Sequence, residues 1–352
     1  MMKGNEAIGE AAIRAGCRFY FGYPITPQNE LLEYMARKLP EVGGCFLQSE
    51  SELAGASMLY GAAAAGKRVM TSSSSPGISL MQETVSYLAS AELPAVIVNI
   101  SRGSPGLGRI TPAQSDYNQA TKGGGHGDYN ILVFAPASVQ EMMDLTMLAY
   151  ELSDQYRIPA MILGDGIVGQ MMESVVLPEP VETIPEKSWA ACGCQGRERN
   201  LVISAPFTDE DLIDLNRRLQ EKYRVIIERE QRAEMIHTED AEFIFVAFGI
   251  VSRLAHSVVD SLREKGCKVG MIRPQTLWPF PDDAFNRIPR AKGVLVVEMN
   301  EGQMLIDVRL ALNGRVPVRH YGRGGGWVPS PDSIEAEMLK LMEEVEKNAV
   351  SL

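Results

Sequence analysis

The stretch from Phe46 to Gly77, FLQSESELAGASMLYGAAAAGKRVMTSSSSPG, decides the fold of this chain. It begins as the end of an apolar strand, turns at residues 48–50 and continues as an alanine-rich helix that ends at Gly66. A second strand, residues 68–71, then runs into a series of serines that closes the stretch. The succession of strand, helix and strand is typical of a parallel sheet.

Two glutamates follow the first strand of this stretch. Ser49 and Glu52 have the spacing of a capping box, which predicts that the helix begins there and places Glu50 in its first turn. The helix dipole favours an acidic side chain in the first turn by roughly 0.3–1 kcal/mol, and we assign Glu52 to that role. For Glu50, the local pattern alone also favours a structural role over a chemical one.

Length, charge and cysteine content limit the class of protein. A chain of 352 residues suggests about two domains, and a net charge of −11 argues against a nucleic-acid or anionic-membrane surface. No apolar run is long enough to cross a bilayer, and the first residues lack the apolar core of a signal peptide. The 5 cysteines are scattered and lack iron–sulfur spacing. These features predict a cytoplasmic chain that carries no cluster of its own.

The first half of the chain repeats the alternation of apolar strands and helices. Thr26 before Pro27 has the pattern of a helix N-cap followed by proline at the first helical position. Residues 101–128 are predicted as one long glycine-rich loop. Other helices are predicted at residues 5–15, 78–91 and 139–156, and strands at residues 17–22, 95–100, 131–134 and 160–163. The pattern predicts a parallel sheet covered on both faces.

The second half of the chain begins with a change in composition. Residues 175–199 are proline-rich and predict a linker, and a weaker α/β piece follows over residues 201–227. Strands are then predicted at residues 243–248, 268–272, 294–297 and 316–320, and helices at residues 251–265, 303–312 and 333–347. We therefore divide the chain into a first domain (1–175), a linker with a small connector (176–240) and a second α/β domain (241–352).

Polar residues follow the ends of several predicted strands in the first domain. Thr26, Glu50, residues 72–75 and Arg102 each stand at the carboxyl end of a strand. In an open α/β sheet, ligands bind at that edge. Convergence of these residues on one edge predicts a binding site there.

Several short stretches match known phosphate- or metal-binding motifs only in part. Residues 61–68 approach a P-loop, but Arg68 stands where the magnesium-ligating hydroxyl belongs. Residues 164–166 open like the diphosphate–magnesium motif of thiamine enzymes, but the asparagine that this motif requires further along is missing. The histidines are too dispersed for a metal set: His126, His237, His256 and His320. We therefore predict no metal site on this chain.

A set of motifs in the first 165 residues resembles the alpha subunit of 2-oxoacid:ferredoxin oxidoreductases. They are GYPITP (22–27), QSESE (48–52), SSPGISLM (74–81) and RGSPG (102–106). Further motifs resemble the transketolase-C-like domain of the same family, namely FG (248–249), RP (273–274) and LWPFP (277–281). The short chain, without a fused gamma domain, is most similar to the branched-chain (2-oxoisovalerate) type.

The resemblance implies a fold and site roles. The first domain would be a thiamine-enzyme pyrimidine-type domain with a mostly parallel sheet, and the second a transketolase-C-like α/β domain. Glu50 matches the carboxyl group that hydrogen-bonds the aminopyrimidine ring of thiamine diphosphate (TPP). Thr26 and Arg102 match positions that hold the 2-oxo and carboxylate groups of the substrate. The remaining cofactor contacts would come from Tyr23, Pro24, Ile25, Ser74 and Ser75.

The resemblance also implies a reaction and partners. The family decarboxylates a 2-oxoacid oxidatively, transfers the acyl group to coenzyme A and reduces ferredoxin. Because this chain matches the pyrimidine half only, a beta subunit would supply the diphosphate and Mg²⁺ half. The iron–sulfur clusters would lie on partner subunits (beta and gamma, with or without delta). This chain alone would be inactive. Two alternatives stay open: the same chemistry on pyruvate or 2-oxoglutarate, for which Arg109 offers a second cation, and a non-catalytic scaffold for the beta subunit.

Overall fold

The computed structural model describes residues 1–350, with side chains for residues 1–347. Its strands are β1 (Met2–Lys3), β2 (Phe19–Gly22), β3 (Cys45–Gln48), β4 (Val69–Ser73), β5 (Ala95–Gly103), β6 (Arg109–Pro112), β7 (Leu132–Phe134), β8 (Pro159–Asp165), β9 (Met172–Glu173), β10 (Ala233–Ile236), β11 (Phe243–Val246), β12 (Val269–Pro274), β13 (Thr276–Trp278), β14 (Gly293–Glu298) and β15 (Val318–Gly322). Its α-helices are α1 (Gly4–Arg14), α2 (Asn29–Lys38), α3 (Glu52–Ala64), α4 (Ser75–Ser90), α5 (Tyr117–Thr121), α6 (Val139–Tyr156), α7 (Gly166–Gln170), α8 (Asp209–Arg229), α9 (Gly249–Glu264), α10 (Asp282–Phe285), α11 (Gln303–Leu312) and α12 (Pro331–Val350).

The first sheet has the strand order β13-β7-β8-β5-β4-β2-β3, with β6 paired to β5. Every pair is parallel except those of β13 and β6. Its central strand β5 is buried along its whole length. Val96, Val98 and Ile100 pack in one core with α1 and α6, whereas Ala95 and Ile97 pack in a second core with α3 and α4. This alternation follows from the two-residue period of a strand, and it confirms a parallel sheet covered on both faces.

The second sheet has the order β10-β12-β11-β14-β15, in which only the β10–β12 pair is antiparallel. Helices α9 and α12 pack together on one face, and α11 covers the other. Directly after β12 the chain crosses over, and β13 pairs with β7 of the first sheet. The boundary proposed at residue 240 leaves β10, an edge strand of the second sheet, in the predicted connector, and β13 ties the second domain to the first.

Helix α3 begins later than the capping-box pattern predicts. Ser51, rather than Ser49, is its N-cap and accepts a hydrogen bond from Ala54 N at 3.2 Å. Ser49 is unavailable because its hydroxyl lies between the carbonyls of Gly22 (3.2 Å) and Ser51 (2.8 Å). Glu52 does lie in the first turn, but Glu50 precedes the helix, so its predicted helical placement is wrong.

The predicted helix cap at Thr26 is also wrong. Helix α2 begins at Asn29 with Gln28 at its N-cap. Gln28 is fully buried. Its backbone N–H donates to Ile25 O at 3.1 Å, and its side-chain oxygen accepts from Ser72 Oγ at 2.5 Å. This polar anchor holds residues 25–28 in a turn and leaves Thr26 in the loop.

Two irregular segments differ from their predictions. The predicted loop over residues 101–128 contains the end of β5, the antiparallel strand β6 and the short helix α5. The predicted α/β piece over residues 201–227 has no strand; it forms only α8, which starts at Asp209. Residues 175–199 carry no helix or strand, as predicted for a linker. Within residues 1–350, no helix combines the length and apolar composition needed to cross a membrane.

A buried carboxyl group lies at the end of strand β14 in the second sheet. Glu298, at the end of β14, is fully buried and accepts hydrogen bonds from Met304 N (3.0 Å) and Leu305 N (3.1 Å) in the first turn of α11. Burial raises the pKa of Glu298 from 4.5 to about 7, although these hydrogen bonds oppose the rise. His320 Nε2 lies 3.7 Å from its Oε1, and burial lowers the pKa of that imidazole.

We expect Glu298 to make the stability of the chain depend on pH. A carboxyl group whose pKa is raised by folding stabilises the fold fully below its unfolded pKa and loses that contribution as pH rises through the folded value. Relative to Glu298→Gln, the wild type should therefore lose about 3 kcal/mol of unfolding free energy between about pH 4.5 and about pH 7. Thermal unfolding across this range should show the two midpoints diverging, and Glu301→Gln, an exposed neighbour, should track the wild type. Parallel curves for Glu298→Gln and the wild type would contradict the assignment.

Candidate active site

The carboxyl ends of β2, β3, β4 and β5 bring the predicted site residues to one edge of the first sheet. These four parallel strands are contiguous in the order β5-β4-β2-β3. Residues 23–26 follow β2, Glu50 follows β3, Ser74 follows β4, and Arg102 lies near the end of β5. The hydrogen bond from Ser49 N to Gly22 O, at 2.9 Å, fixes the Glu50 turn to the end of β2.

Arg102 is the best-defined side chain at this edge. It is only 7% exposed, and its Nη1 donates to Thr26 O at 3.0 Å while its Nη2 donates to Leu107 O at 2.9 Å. Its Nε has no hydrogen-bond partner among the described side chains and backbone. A guanidinium has five N–H donors and Arg102 spends two on backbone carbonyls, so it has spare N–H groups that can bind a carboxylate. The structure thus brings Arg102 and Thr26 together, as the sequence predicts.

The two serines that begin α4 differ in what their hydroxyl groups do. Ser74 Oγ is buried and has no partner among the described residues. Ser75 Oγ donates to Asp116 Oδ2 at 2.6 Å and accepts from Arg102 N at 3.1 Å, and the Ser75 backbone adopts a positive φ of 21°. The Ser74 hydroxyl therefore lacks a protein partner among the described residues, whereas the Ser75 hydroxyl and the Ser75 backbone N–H both have one.

Buried polar atoms without partners concentrate near this edge. An unsatisfied buried donor or acceptor costs roughly 1–3 kcal/mol, and a group of them in one place calls for an explanation. Within the described residues, those on β4 to β6 and their connections are Thr71 Oγ1, Ser73 Oγ, Ser74 Oγ, Ser101 Oγ, Arg102 Nε and Thr111 Oγ1. Ser74 Oγ and Arg102 Nε belong to predicted site residues, and a bound polar ligand such as the aminopyrimidine ring of a thiamine cofactor would satisfy groups of this kind.

Glu50 is exposed and its carboxylate makes no hydrogen bond to any residue in 1–347. It follows β3, the edge strand of the sheet, and precedes the almost wholly apolar helix α3. Large apolar side chains nearby are exposed, including Leu53 on α3 (47%) and Leu80 on α4 (54%). Helices α3 and α4 pack side by side, and both expose apolar side chains to solvent. The Glu50 carboxylate therefore borders a surface suited to another protein.

Asp165, in the motif that resembles a diphosphate–magnesium site, has a structural role. Its carboxylate accepts from the backbone N–H groups of Ile167 (2.9 Å) and Val168 (3.1 Å), and from Ile250 N of the second domain (3.2 Å). Burial raises the pKa of Asp165, and these hydrogen bonds oppose the rise. With its oxygens so occupied, Asp165 caps α7 and links the domains. Among the described residues, no group of three His, Cys, Asp or Glu side chains is placed to hold a metal.

Sequence reasoning missed the polar network beneath Arg102. Asn99 Oδ1 accepts from Ser75 N at 3.2 Å, and its Nδ2 donates to Asp116 Oδ2 at 2.9 Å. Burial raises the pKa of the Asp116 carboxyl, while the Ser75 and Asn99 hydrogen bonds lower it. An asparagine inside the apolar strand AVIVNIS was a usable signal, because a polar side chain in a central strand needs a partner. Nothing local marked Asp116.

Comparison with known proteins identifies the class of this chain. A family model described as "Pyruvate flavodoxin/ferredoxin oxidoreductase, thiamine diP-bdg" matches residues 10–224, and one described as "Pyruvate:ferredoxin oxidoreductase core domain II" matches residues 241–334. A solved split-gene transketolase, in an inactive beta4 tetramer, has a TM-score of 0.60 at 13% identity, covering 96% of this chain and 97% of its own. The fold and the site edge thus define an α/β chain of the thiamine-enzyme class.

Closer relatives narrow this class. Ketoisovalerate oxidoreductase subunit VorB from Methanothermobacter marburgensis is 52% identical over 93% of both chains. 2-Oxoglutarate synthase subunit KorA from Methanocaldococcus jannaschii is 38% identical over 96% of this chain and 98% of its own. A solved 2-oxoglutarate:ferredoxin oxidoreductase from Magnetococcus marinus, with 2-oxoglutarate, coenzyme A and succinyl-CoA bound, has a TM-score of 0.85 at 24% identity, and this chain spans 64% of its length. The chain belongs to the 2-oxoacid:ferredoxin oxidoreductases, as a subunit.

Proposed function

We propose that this chain is the alpha, pyrimidine-binding subunit of a TPP-dependent enzyme that converts a branched-chain 2-oxoacid to its acyl-CoA and reduces ferredoxin. The observation that carries the proposal is the arrangement of the predicted site residues at the carboxyl edge of the first sheet, next to exposed apolar side chains. Arg102 and Thr26 are joined at one sheet edge, Ser74 Oγ lacks a partner there, and the Glu50 carboxylate stands at the border of an exposed apolar surface.

Each residue has a role set by its chemistry. When bound, TPP supplies the electron sink for decarboxylation. Glu50 would hold and return a proton at the aminopyrimidine ring, and a partner subunit packed on α3 would exclude water from it. Arg102 would bind the substrate carboxylate, with Thr26 at the 2-oxo group. Residues 23–25 and the backbone of Ser74 and Ser75 would line the ring.

The preference for a branched chain rests on the surroundings of Arg102. The hairpin between β5 and β6 carries Leu107, which is 79% exposed, and Ile110, which is 66% exposed. Such apolar side chains suit an aliphatic acyl group better than a second carboxylate. The higher identity to the ketoisovalerate subunit points the same way. Arg109, exposed in the same hairpin, is the feature that favours 2-oxoglutarate as the second candidate.

Two features of this chain support partner subunits: an exposed apolar face, and cysteines without an iron–sulfur spacing. The apolar outer face of α3 and α4 would pack against a beta subunit that brings the TPP diphosphate and Mg²⁺. None of the cysteines lies in an iron–sulfur spacing, so we assign the clusters that pass electrons to ferredoxin to the beta and gamma subunits, with or without a delta subunit. The chain should therefore be inactive by itself.

The test is 2-oxoacid-dependent viologen reduction, with TPP and coenzyme A, by this chain co-purified with its genomic partners. We expect the rate with 2-oxoisovalerate to exceed the rates with pyruvate and 2-oxoglutarate, and activity to vanish when the beta subunit is omitted. A preference for 2-oxoglutarate would overturn the branched-chain assignment. Full turnover by a complex that lacks this chain would show that the chain is a non-catalytic scaffold.

A further inference from the structure

A short segment between β6 and α5 joins the second domain to the backbone of Arg102. We call residues 113–117, which end on the first residue of α5, the connecting segment. Gln114, only 3% exposed, lies between the carboxyl ends of β11 and β14. Its side-chain Nε2 donates to Phe248 O at 2.8 Å, and its side-chain Oε1 accepts from Met299 N at 3.0 Å. Its backbone carbonyl accepts from Asn300 Nδ2 at 2.9 Å. The second domain therefore holds this segment through both the side chain and the backbone of Gln114.

The other end of the connecting segment reaches the first domain. Asp116, two residues after Gln114, is buried and accepts from Ser75 Oγ at 2.6 Å and from Asn99 Nδ2 at 2.9 Å. Ser75 Oγ in turn accepts from Arg102 N at 3.1 Å. The chain of contacts from the second domain to the substrate arginine is therefore continuous, and almost every link in it is buried.

The same segment is anchored on its far side. Tyr117 OH donates to Asp307 Oδ2 of α11 at 2.5 Å, and the backbone N–H of Asn118 donates to Gln303 Oε1 at 2.8 Å. Asp116 thus stands between two anchors, Gln114 and Tyr117, that both belong to contacts with the second domain. Such a segment cannot shift as a free loop would, so the second domain helps to fix the position of the Asp116 carboxylate, together with Ser75 and Asn99 of the first domain.

We infer that Asp116 is a positioning residue for Arg102, and that the second domain fixes the substrate arginine through the connecting segment. The inference rests on the proposed role of Arg102 as the carboxylate-binding group. The Arg102 guanidinium is held by Thr26 O and Leu107 O, whereas its backbone N–H donates to Ser75 Oγ, which in turn donates to Asp116. A binding group that is displaced by about 1 Å can lose on the order of a hundredfold in efficiency, so this linkage matters to function.

The test uses the assembled complex and separates substrate binding from turnover. We expect Asp116→Asn to raise the KM for the 2-oxoacid roughly tenfold, with little change in kcat or in the affinity for TPP. The affinity for an acylphosphonate analogue, which cannot be decarboxylated, should fall by the same factor when measured by calorimetry. Asp128→Asn is the matched control, because Asp128 is exposed and its side chain has no partner among residues 1–347.

A second variant guards against a folding defect. Ser75→Ala removes the same link from the other side and should raise the KM by a similar factor; if Asp116→Asn does not assemble, this variant alone decides. When both assemble, the double variant should be no worse than the poorer single one, because both remove one connection. Additive effects, or an unchanged KM in Ser75→Ala, would overturn the inference. Gln114→Met should produce the same rise in KM. An unchanged KM in this variant would show that the second domain has no part in positioning Arg102.

The role of Arg102 is measured in the same series. If Arg102→Lys raises the KM but the Asp116 and Ser75 variants do not, the positioning role fails and the proposed function stands. If Arg102→Lys leaves both the KM and the analogue affinity unchanged, the proposed role of Arg102 fails and the positioning role fails with it.

Discussion

Replacing Glu50 by Gln should lower kcat of the assembled complex by roughly 10²- to 10⁴-fold, the range in which a positioned acid–base group contributes. Gln keeps the shape of the side chain but cannot exchange a proton, so the loss would report the proton and not the packing. Glu50→Ala should be at least as damaging. Viologen reduction at saturating 2-oxoacid, TPP and coenzyme A measures the effect.

Assembly must be unchanged for this result to be informative. Glu50 is exposed and makes no hydrogen bond within residues 1–347, so its replacement should leave the thermal unfolding midpoint of the chain and its co-elution with partners unaltered. Glu151→Gln, on the exposed side of α6, removes a carboxylate elsewhere and should retain full activity. Substantial turnover by a well-assembled Glu50→Gln complex would rule out the catalytic assignment and would favour the scaffold alternative.

The fold could be predicted from sequence where the signal is periodic. Helices at residues 139–156 and 303–312 were predicted with the bounds that the structure has, because long apolar periods and local caps determine them. Predictions failed where a distant partner decides the local structure. Ser49 cannot cap α3 because Gly22 O binds its hydroxyl, and Gln28 displaces Thr26 as a cap because it is anchored to β4. Strand β13 was missed because its partner β7 lies in the other domain.

The candidate site was predictable to the same extent. Strand order brings Thr26 and Arg102 to one edge, which the pattern of strand ends predicts without any contact being known. Asp116 and Gln114 could not be found in this way, since their meaning depends on partners far along the chain, such as Ser75 and Met299. The role of Ser75 also needed the structure: the sequence marks it as a cofactor contact, and only its partners show that its hydroxyl is already occupied.

Arg102→Lys should raise the KM for the preferred 2-oxoacid roughly ten- to a hundredfold. A hydrogen bond to a charged group contributes roughly 1.5–3 kcal/mol, and lysine keeps the charge but loses the planar fork that binds a carboxylate through two N–H groups. Lysine also cannot reproduce both bonds to Thr26 O and Leu107 O, so the hairpin after β5 should loosen. Initial rates as a function of 2-oxoacid concentration, with TPP and coenzyme A saturating, give KM and kcat separately.

The neighbouring arginine provides both the control and a test of substrate class. Arg109 is exposed on the same hairpin and has no ion-pair partner among residues 1–347, so Arg109→Ala changes the charge near the site without removing the carboxylate-binding group. With 2-oxoisovalerate, whose single carboxylate is assigned to Arg102, this variant should keep the wild-type KM. If it instead loses activity selectively with 2-oxoglutarate, Arg109 binds a second carboxylate, and the exposed Leu107 and Ile110 do not set the acyl preference. A KM unchanged in Arg102→Lys and raised in Arg109→Ala would transfer the carboxylate-binding role from β5 to β6.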